Sequence, residues 1–275
     1  MIQLFDSHTH LNNEDYSEKN VADLAKSIEE SDVAYVVDIG FDLSSSAVAL
    51  KHAEKYPWCF ATVGVHPHDV KDMDEETLLL LKGLAKKTKA VAIGEIGLDY
   101  YRNLSSKEDQ RYWFRKQIKL AMELDMPITI HDRDAHGEVM EILKDEGVFS
   151  EERKSKFPVN PVTGTKDARL LLHCYSGHAQ MAEQYIKLGA TLSIAGPVTF
   201  KNNHKTVEVV KQIPLAHLLI ETDAPYLTPE PFRGKRNSSP LVEYTAKKIA
   251  DIKDISYEEV ADATLNNAKR FYNID

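Results

Sequence analysis

Eight short apolar runs alternate with amphipathic segments along this sequence, and that alternation constrains the possible folds more than any other feature. The runs are rich in Val, Ile, Leu and Ala, as in residues 33–40 and 168–173. Strands that are buried on both faces of a parallel sheet have this continuous apolar composition. Eight such strands alternating with predicted helices favour an α/β fold of the closed (β/α)8 TIM-barrel type over an open doubly wound sheet.

The length of 275 residues suits one barrel, and no internal repeat or linker divides the sequence. We therefore predict a single domain over residues 1–275. Residues 147–166 are rich in Lys, Glu, Ser and Pro and lack periodicity, so we predict a loop excursion there. Because this stretch is long for a connection between the fifth and sixth strands, we expect it to remodel the end of the barrel that carries the site.

Charge and composition limit the classes of function. A formal net charge of -9 argues against broad, non-specific nucleic-acid binding, although it leaves room for a local basic groove. No apolar run approaches the length of a membrane span, so we expect no membrane association. Two cysteines, Cys59 and Cys174, are too few for a disulfide framework, and no basic-then-apolar leader opens the sequence. A cytoplasmic location is the expectation.

Histidines and carboxylates stand at the ends of the predicted strands. His8 and His10 close the first apolar run, and side chains two apart on a strand point to the same face. In a barrel, the carboxyl ends of the strands meet at one end, here called the rim, where catalytic residues lie. The residues that we expect to bind metal at this rim are His8, His10, Glu95, His131, His173 and Asp223.

Four histidines and two carboxylates exceed the needs of one tetrahedral ion. Glu95 has two oxygens and can bridge, so two divalent ions per chain are expected. Mixed nitrogen and oxygen ligands suit Zn²⁺ or Mn²⁺, and Mg²⁺ less well. Such paired ions serve phosphoesterases and nucleases, and Asp223 is the candidate to orient a metal-held water and to accept its proton.

Other residues near the strand ends are candidates for substrate binding or for supporting the ligands. Glu221 and Asp6 share strand parity with ligands, and each is either a structural buried carboxylate or the acceptor that orients a ligand histidine. Tyr100 is either packing at the rim or a stacking platform for a base. A compact basic cluster follows Asp223, and Arg matches the geometry of phosphate. The predicted substrate-binding residues are His66, Tyr100, Arg233 and Arg236.

Several motifs taken together resemble those of the TatD-like metal-dependent deoxyribonucleases, within the metal-dependent hydrolase (amidohydrolase) superfamily. The resemblance covers nearly the whole chain. Its motifs are Asp6-Ser-His8-Thr-His10, Gly94-Glu95-Ile-Gly-Leu-Asp99-Tyr100, Ile130-His131-Asp-Arg133, His173-Cys-Tyr-Ser-Gly177, Glu221-Thr-Asp223-Ala-Pro-Tyr226 and Arg233-Gly-Lys-Arg236-Asn237.

The resemblance implies a TIM barrel with a two-metal centre that hydrolyses DNA phosphodiesters, often as an exonuclease working from 3′ ends. Since the protein is acidic, a local basic groove suits a short or single-stranded DNA end better than a long duplex. The resemblance also implies how the ligands divide between the ions. His8, His10, Glu95 and Asp223 hold one metal by this correspondence, and Glu95, His131 and His173 hold the other.

Two other functions remain open from the residues. One is metal-dependent hydrolysis of an ester, lactone, amide or aminoacyl-tRNA on the same barrel; such enzymes often carry a carboxylated Lys on the fourth strand, where this sequence has Glu95. The other is a non-catalytic nucleic-acid-binding protein that kept the fold, which the complete ligand set disfavours.

Overall fold

Eight parallel strands form one sheet in which each strand pairs with the next along the chain. The computed structural model describes residues 2–13 and 15–274. The predicted (β/α)8 barrel is confirmed. The strands are β1 (Leu4–Thr9), β2 (Val33–Ile39), β3 (Cys59–Val63), β4 (Ala90–Asp99), β5 (Ile128–Arg133), β6 (Leu170–Leu172), β7 (Thr191–Ile194) and β8 (Leu218–Ile220).

Helices connect the strands and cover the sheet. Many begin at a capping side chain; Ser17 and Ser256, for example, each accept a hydrogen bond from the backbone amide three residues later. The helices are α1 (Glu18–Glu29), α2 (Leu43–Lys55), α3 (Glu75–Ala85), α4 (Lys107–Glu123), α5 (His136–Asp145), α6 (Glu151–Ser155), α7 (Ala179–Lys187), α8 (His204–Gln212), α9 (Val242–Lys253) and α10 (Tyr257–Tyr272).

The barrel closes at a seam between β1 and β8. The hydroxyl of Ser7 donates to the carbonyl oxygen of Ile220 at 2.9 Å. Beyond the end of β8, the amide of Asp223 donates to the His8 carbonyl at 2.9 Å, and the amide of His10 donates to the Ala224 carbonyl at 2.8 Å. The C-terminal helix α10 covers this seam, since the Tyr272 hydroxyl donates to the Ser7 carbonyl at 3.0 Å. The first and last strands are therefore held together beside the ends that carry polar residues.

Three strand ends near the site differ from the predicted ones. The apolar pattern of the sequence predicts that the fourth, sixth and eighth strands end at Gly94, His173 and Asp223. In the structure β4 continues to Asp99, while β6 ends at Leu172 and β8 at Ile220. His173 and Asp223 consequently lie just after their strands rather than within them. Both still follow directly from the carboxyl ends of the strands, so the predicted placement at the rim is retained.

The segment 147–166 lies at the end of the barrel opposite the rim. It contains helix α6, whose Arg153 is almost fully buried and donates to the carbonyl oxygens of Met126 at 2.8 Å and Ala168 at 3.1 Å. Those carbonyls precede β5 and β6, at the amino ends of the strands. The expectation that this segment remodels the rim was therefore wrong. A connection that leaves a helix and enters a strand returns to the amino end of the barrel.

Within residues 2–13 and 15–274, none of the helices combines the length and the apolar character that crossing a membrane requires.

Candidate metal centre

The six predicted ligands converge at the rim around the carboxylate of Glu95. Oε1 of Glu95 lies 2.7 Å from Nδ1 of His131 and 2.7 Å from Nε2 of His173. Its other oxygen, Oε2, lies 3.4 Å from Nε2 of His8. One carboxylate therefore faces histidines from three strands, which is the arrangement that a bridging ligand needs.

Asp223 faces the histidines of β1 from the opposite side of the seam. Its Oδ1 lies 3.4 Å from Nε2 of His10 and 3.6 Å from Nε2 of His8. The backbone of Asp223 is left-handed, with φ at 55°, a conformation that Asp tolerates better than most residues. The side chain is 16% exposed, against 5% for Glu95. Of the two carboxylates, Asp223 is thus the more accessible to a substrate.

The donor set fits divalent metal ions. The His8 side chain is fully buried, yet neither of its ring nitrogens has a hydrogen-bond partner among the described residues. A buried imidazole without partners is costly unless an ion satisfies it. Ligand atoms lie within 4.8 Å of one another in three sets, which are His8 with His10 and Glu95, His8 with His173 and Asp223, and His66 with Glu95 and His131.

These sets do not separate the ligands as the resemblance implies. His8 belongs to two of them, and its ring stacks on that of His173 with centroids 4.0 Å apart. The division of the six ligands between two ions accordingly stays a prediction.

Both carboxylates of the centre are ionised. Burial alone would raise the pKa of Glu95, but the charge on His173 and the hydrogen bonds from His131 and His173 outweigh it and hold that pKa well below its usual range. Burial opposes ionisation of Asp223 too, and the hydrogen bond from His10 with the nearby charge of His8 lowers its pKa. Ionised carboxylates are the form that binds cations.

Glu221 lies behind His173, at 3.3 Å between its Oε1 and Nδ1 of the ring. The carboxylate is fully buried and also accepts a hydrogen bond from the Ser193 hydroxyl. When Nδ1 of His173 donates to Glu221, a neutral ring has its lone pair on Nε2, where a bound ion would take the place of the proton that Glu95 accepts here. This geometry supports the orienting role over the purely structural one.

Asp6, for which the same role was considered, forms no hydrogen bond or ion pair with a histidine side chain among the described residues. Its oxygens accept hydrogen bonds from the amide of Thr222 at 2.8 Å and the Thr222 hydroxyl at 2.6 Å, across the barrel seam. Its nearest link to a ligand is the backbone amide of His8, at 3.4 Å. Burial raises the pKa of Asp6 to about 7. The residue therefore joins β1 to the segment after β8 rather than orienting an imidazole.

Asp99 is a member of the centre to which no role was assigned from the sequence. Its Oδ2 lies 3.3 Å from Nε2 of His131 and 2.7 Å from Nε2 of His68. Burial alone would raise the pKa of Asp99, but hydrogen bonds from His131, from the Arg102 amide and from His68 lower it. The spacing in the sequence could have identified Asp99, because it stands four residues after Glu95 and therefore shares its face of β4.

His66 lies close to the ligands, with Nε2 at 3.7 Å from Oε1 of Glu95. Its Nδ1 accepts a hydrogen bond from the backbone amide of His68 at 3.1 Å. Burial and the positive charge of His131 hold the pKa of His66 well below its usual range, so the ring is neutral. A neutral ring whose Nδ1 accepts carries its proton on Nε2. In this tautomer Nε2 donates to an anionic oxygen rather than binding a metal, so the set that contains His66 is left with Glu95 and His131 as ligands.

The other predicted substrate-binding residues lie further out. The Tyr100 hydroxyl donates to Glu138 at 2.6 Å and its ring lies under the ammonium group of Lys107, so its side chain is engaged in packing against α4 and α5. Arg233 and Arg236 are exposed, and neither forms an ion pair with any residue that the structure describes. Their guanidinium groups lie over the rings of Phe200 at 4.3 Å and Tyr16 at 5.2 Å.

Comparison with known proteins identifies the family. The model of the TatD related DNase family matches residues 5–273. The chain is 43% identical to the uncharacterized metal-dependent hydrolase YabD of Bacillus subtilis, over 99% of this chain and 100% of that protein. It is 31% identical to the 3′-5′ ssDNA/RNA exonuclease TatD of Erwinia tasmaniensis, over 98% and 100%.

A solved structure supports the same assignment. The crystal structure of YJJV, a TatD homolog from Escherichia coli K12, superposes with a TM-score of 0.85 at 27% identity, covering 99% of this chain and 98% of that one. The barrel, the strand-end ligands and the family match over nearly the full length agree. The chain belongs to the TatD-related DNase family of metal-dependent hydrolases.

Proposed function

We propose that this hydrolase is a deoxyribonuclease that removes nucleotides from the 3′ ends of single-stranded DNA, with two divalent ions drawn from Mg²⁺, Mn²⁺ and Zn²⁺. The observation that carries the proposal is the position of Glu95, whose two oxygens face His131 and His173 on one side and His8 on the other. Paired ions that share a carboxylate are typical of enzymes that cleave phosphodiesters. The whole chain, residues 1–275, serves this activity as one domain.

Two observations favour a nucleic-acid substrate. The Erwinia relative is a 3′-5′ exonuclease acting on single-stranded DNA and RNA by its name, and it matches this chain end to end. Arg233 and Arg236 add exposed positive charge on the connection after Asp223, where a phosphate backbone could pass. The acidic net charge of the protein suits a local contact with a strand end better than a long duplex.

The six ligands would hold the ions at the rim. When bound, divalent ions lower the pKa of water to near neutrality and offset charge on the phosphoryl oxygens. The fit rests on the unpartnered nitrogens of His8 and on the ionised carboxylates of Glu95 and Asp223.

The protein's own groups have distinct tasks in this proposal. Asp223 orients the attacking water and accepts its proton, because its carboxylate is ionised and is the more exposed of the two at the centre. Nε2 of His66 donates a hydrogen bond to a non-bridging oxygen of the phosphate, and this hydrogen bond strengthens as negative charge develops on that oxygen. Asp99 and Glu221 hold His131 and His173 so that each offers one fixed ring nitrogen.

A substrate panel tests the proposal. Metal-supplemented protein is incubated with 3′-labelled and 5′-labelled single-stranded DNA, duplex DNA, RNA, bis-p-nitrophenyl phosphate, simple lactones and an aminoacyl-tRNA. We expect loss of the 3′ label first, with single strands cleaved faster than duplex, and about two metal ions per chain by elemental analysis. Faster turnover of the lactone or aminoacyl ester than of any phosphodiester would replace the nuclease with the alternative hydrolase.

A further inference from the structure

A cavity of about 540 Å³ lies beside the candidate metal centre, between α2 and the segment that follows β1. Its volume is in the range of small-molecule binding sites. The ring of Phe41 lines this cavity and lies 5.8 Å from the ring of His10, centroid to centroid. One aromatic ring therefore separates the cavity from a proposed metal ligand, and none of the roles described above uses the space.

A buried carboxylate fixes a histidine in the cavity wall. Oδ2 of the fully buried Asp38 lies 2.8 Å from Nδ1 of His52, and Oδ1 accepts a hydrogen bond from the Asn12 amide at 3.3 Å. In the tautomer whose Nδ1 donates to Asp38, Nε2 of His52 carries a lone pair. His52 lines the cavity, and the described residues offer that nitrogen no hydrogen-bond partner. An oriented acceptor is thus available at the wall.

The charges around the cavity balance. Lys51 and Lys55 of α2 stand against Glu18 of α1 and Asp42 at the start of α2. Because the cavity wall carries both positive and negative side chains, it favours a neutral ligand over an anion such as a phosphate group. The ring of Tyr16 lines the cavity as the ring of Phe41 does, so a flat aromatic group would find apolar faces and a polar edge.

The cavity is also connected to the predicted path of the DNA backbone. The guanidinium group of Arg236, which belongs to the exposed basic cluster after Asp223, lies 5.2 Å from the centroid of the Tyr16 ring. A strand whose phosphate contacts Arg236 would pass the mouth of the cavity while its reacting phosphate reached His10 and Asp223.

We propose that the cavity binds the base of a nucleotide adjacent to the scissile phosphate. The base packs against Tyr16 and Phe41, and an amino or imino N–H on its edge donates to Nε2 of His52. This assignment rests on the proposed nuclease function and extends it, because it makes the enzyme a reader of the base as well as of the backbone.

Filling the cavity tests the assignment. Val48 of α2 lines the cavity, and Val48→Trp would occupy part of the space with an indole. The control is Glu54→Trp, which adds the same group at an exposed position of α2 away from the cavity. We expect Val48→Trp to raise KM for a single-stranded oligodeoxynucleotide about tenfold. The kcat/KM of the variant should therefore fall more for the oligodeoxynucleotide than for bis-p-nitrophenyl phosphate, which has no base. Metal content and Tm are measured for each variant.

Abasic oligonucleotides identify the group that enters the cavity. A set of oligonucleotides carries one abasic residue at each of the last three positions of the strand in turn. Each oligonucleotide is made with a deoxyribose backbone and with a ribose backbone, and the two are compared. In the wild-type enzyme, one abasic position should raise KM about tenfold, and Val48→Trp should abolish that difference. His52→Ala is assayed in the same way and should reduce the same difference, so that the proposal can still be tested if Val48→Trp does not fold.

The outcomes separate the two proposals. Cleavage of DNA with the same abasic effect in wild type, Val48→Trp and His52→Ala would overturn the cavity assignment and leave the nuclease function standing. Wild-type protein that cleaves lactones or aminoacyl esters but no oligonucleotide would overturn both.

Discussion

Nε2 of His131 lies 3.3 Å from Oδ2 of Asp99, a carboxylate that is itself fixed by the backbone. The other oxygen of Asp99 accepts hydrogen bonds from the amides of Tyr101 at 3.0 Å and Arg102 at 2.8 Å. A His131 ring that donates through Nε2 turns Nδ1 toward Glu95, 2.7 Å away. Asp99 therefore selects which nitrogen of His131 faces the metal centre.

Removal of this carboxylate should weaken metal binding. For Asp99→Ala we expect the affinity for Mn²⁺ to fall about 10–100-fold, because the His131 ring loses its fixed orientation. Isothermal titration of the metal-free protein measures it directly. Asp134→Asn serves as the control, since Asp134 is an exposed carboxylate on the connection after β5 and Asn tolerates its left-handed backbone. An affinity equal to that of the wild type would show that Asp99 does not orient the ligand.

His66 should act on the substrate and not on the metal. We expect His66→Ala to lower kcat for a phosphodiester about 10²-fold, since one hydrogen-bond donor to the phosphoryl oxygen is lost. His66→Gln retains an N–H donor and should recover part of that rate. Both variants should keep the wild-type metal content, measured by elemental analysis. A drop in metal per chain would instead identify His66 as a ligand.

Asp223→Asn should abolish turnover while the fold survives. The amide cannot accept a proton, so we expect kcat to fall by about 10³-fold or more. Asn also tolerates the left-handed backbone that Asp223 adopts, so Tm should change by only a few degrees. Single-turnover cleavage of end-labelled DNA provides the measurement, and Glu230→Gln on the same connection is the control. Turnover near the wild-type rate would exclude Asp223 as the base.

Metal removal should destabilise the protein. A ligand present at about a hundred times its Kd stabilises the folded state by about 2.7 kcal/mol. For a chain of this size we therefore expect a chelator to lower Tm by roughly 5 °C, with recovery on adding Mn²⁺. Thermal unfolding followed by circular dichroism checks this. The Tm of Glu95→Gln should change neither with the chelator nor with added Mn²⁺. A wild-type Tm that is the same with and without the chelator would contradict the metal site.

Arg153→Ala should cost stability without affecting chemistry. The change leaves the carbonyls of Met126 and Ala168 buried without their donor, which we expect to lower the free energy of unfolding by about 2 kcal/mol. Urea titration gives that value, and Glu152→Ala on the exposed side of α6 is the control. The kcat of the folded variant should equal that of the wild type, because α6 lies at the opposite end of the barrel from Glu95.

The sequence predicted the barrel and the convergence of the ligands because both follow from repetition. Parallel strands of one barrel must end at the same rim, so polar residues at those ends had to meet. The end of β4 was harder to place. Gly94 and Gly97 interrupt its apolar pattern, and a strand glycine usually signals a break. In the fold, Gly97 permits close approach of β5, since a Cβ there would lie 1.9 Å from the His131 carbonyl oxygen.

That misplaced end explains why Asp99 received no role. A strand that stops at Gly94 leaves Asp99 in a loop, whereas the continued strand puts it on the face of Glu95. The division of ligands between two ions was beyond the sequence for another reason. That division depends on side-chain torsion angles, which place His8 close both to His10 and Glu95 and to His173 and Asp223. The periodicity of a sequence carries no information on those angles.

The seam between β1 and β8 also governs when the centre can exist. Asp6 and Thr222, which bond across it, are 216 residues apart in the chain. During synthesis, the His8–His10 pair emerges long before Asp223, so a partly made chain holds only a fragment of the ligand set. Contacts of such long range form late and slowly in folding. The enzyme should therefore gain its metal and its activity in one late event, and a nascent chain should be unable to cut nucleic acid.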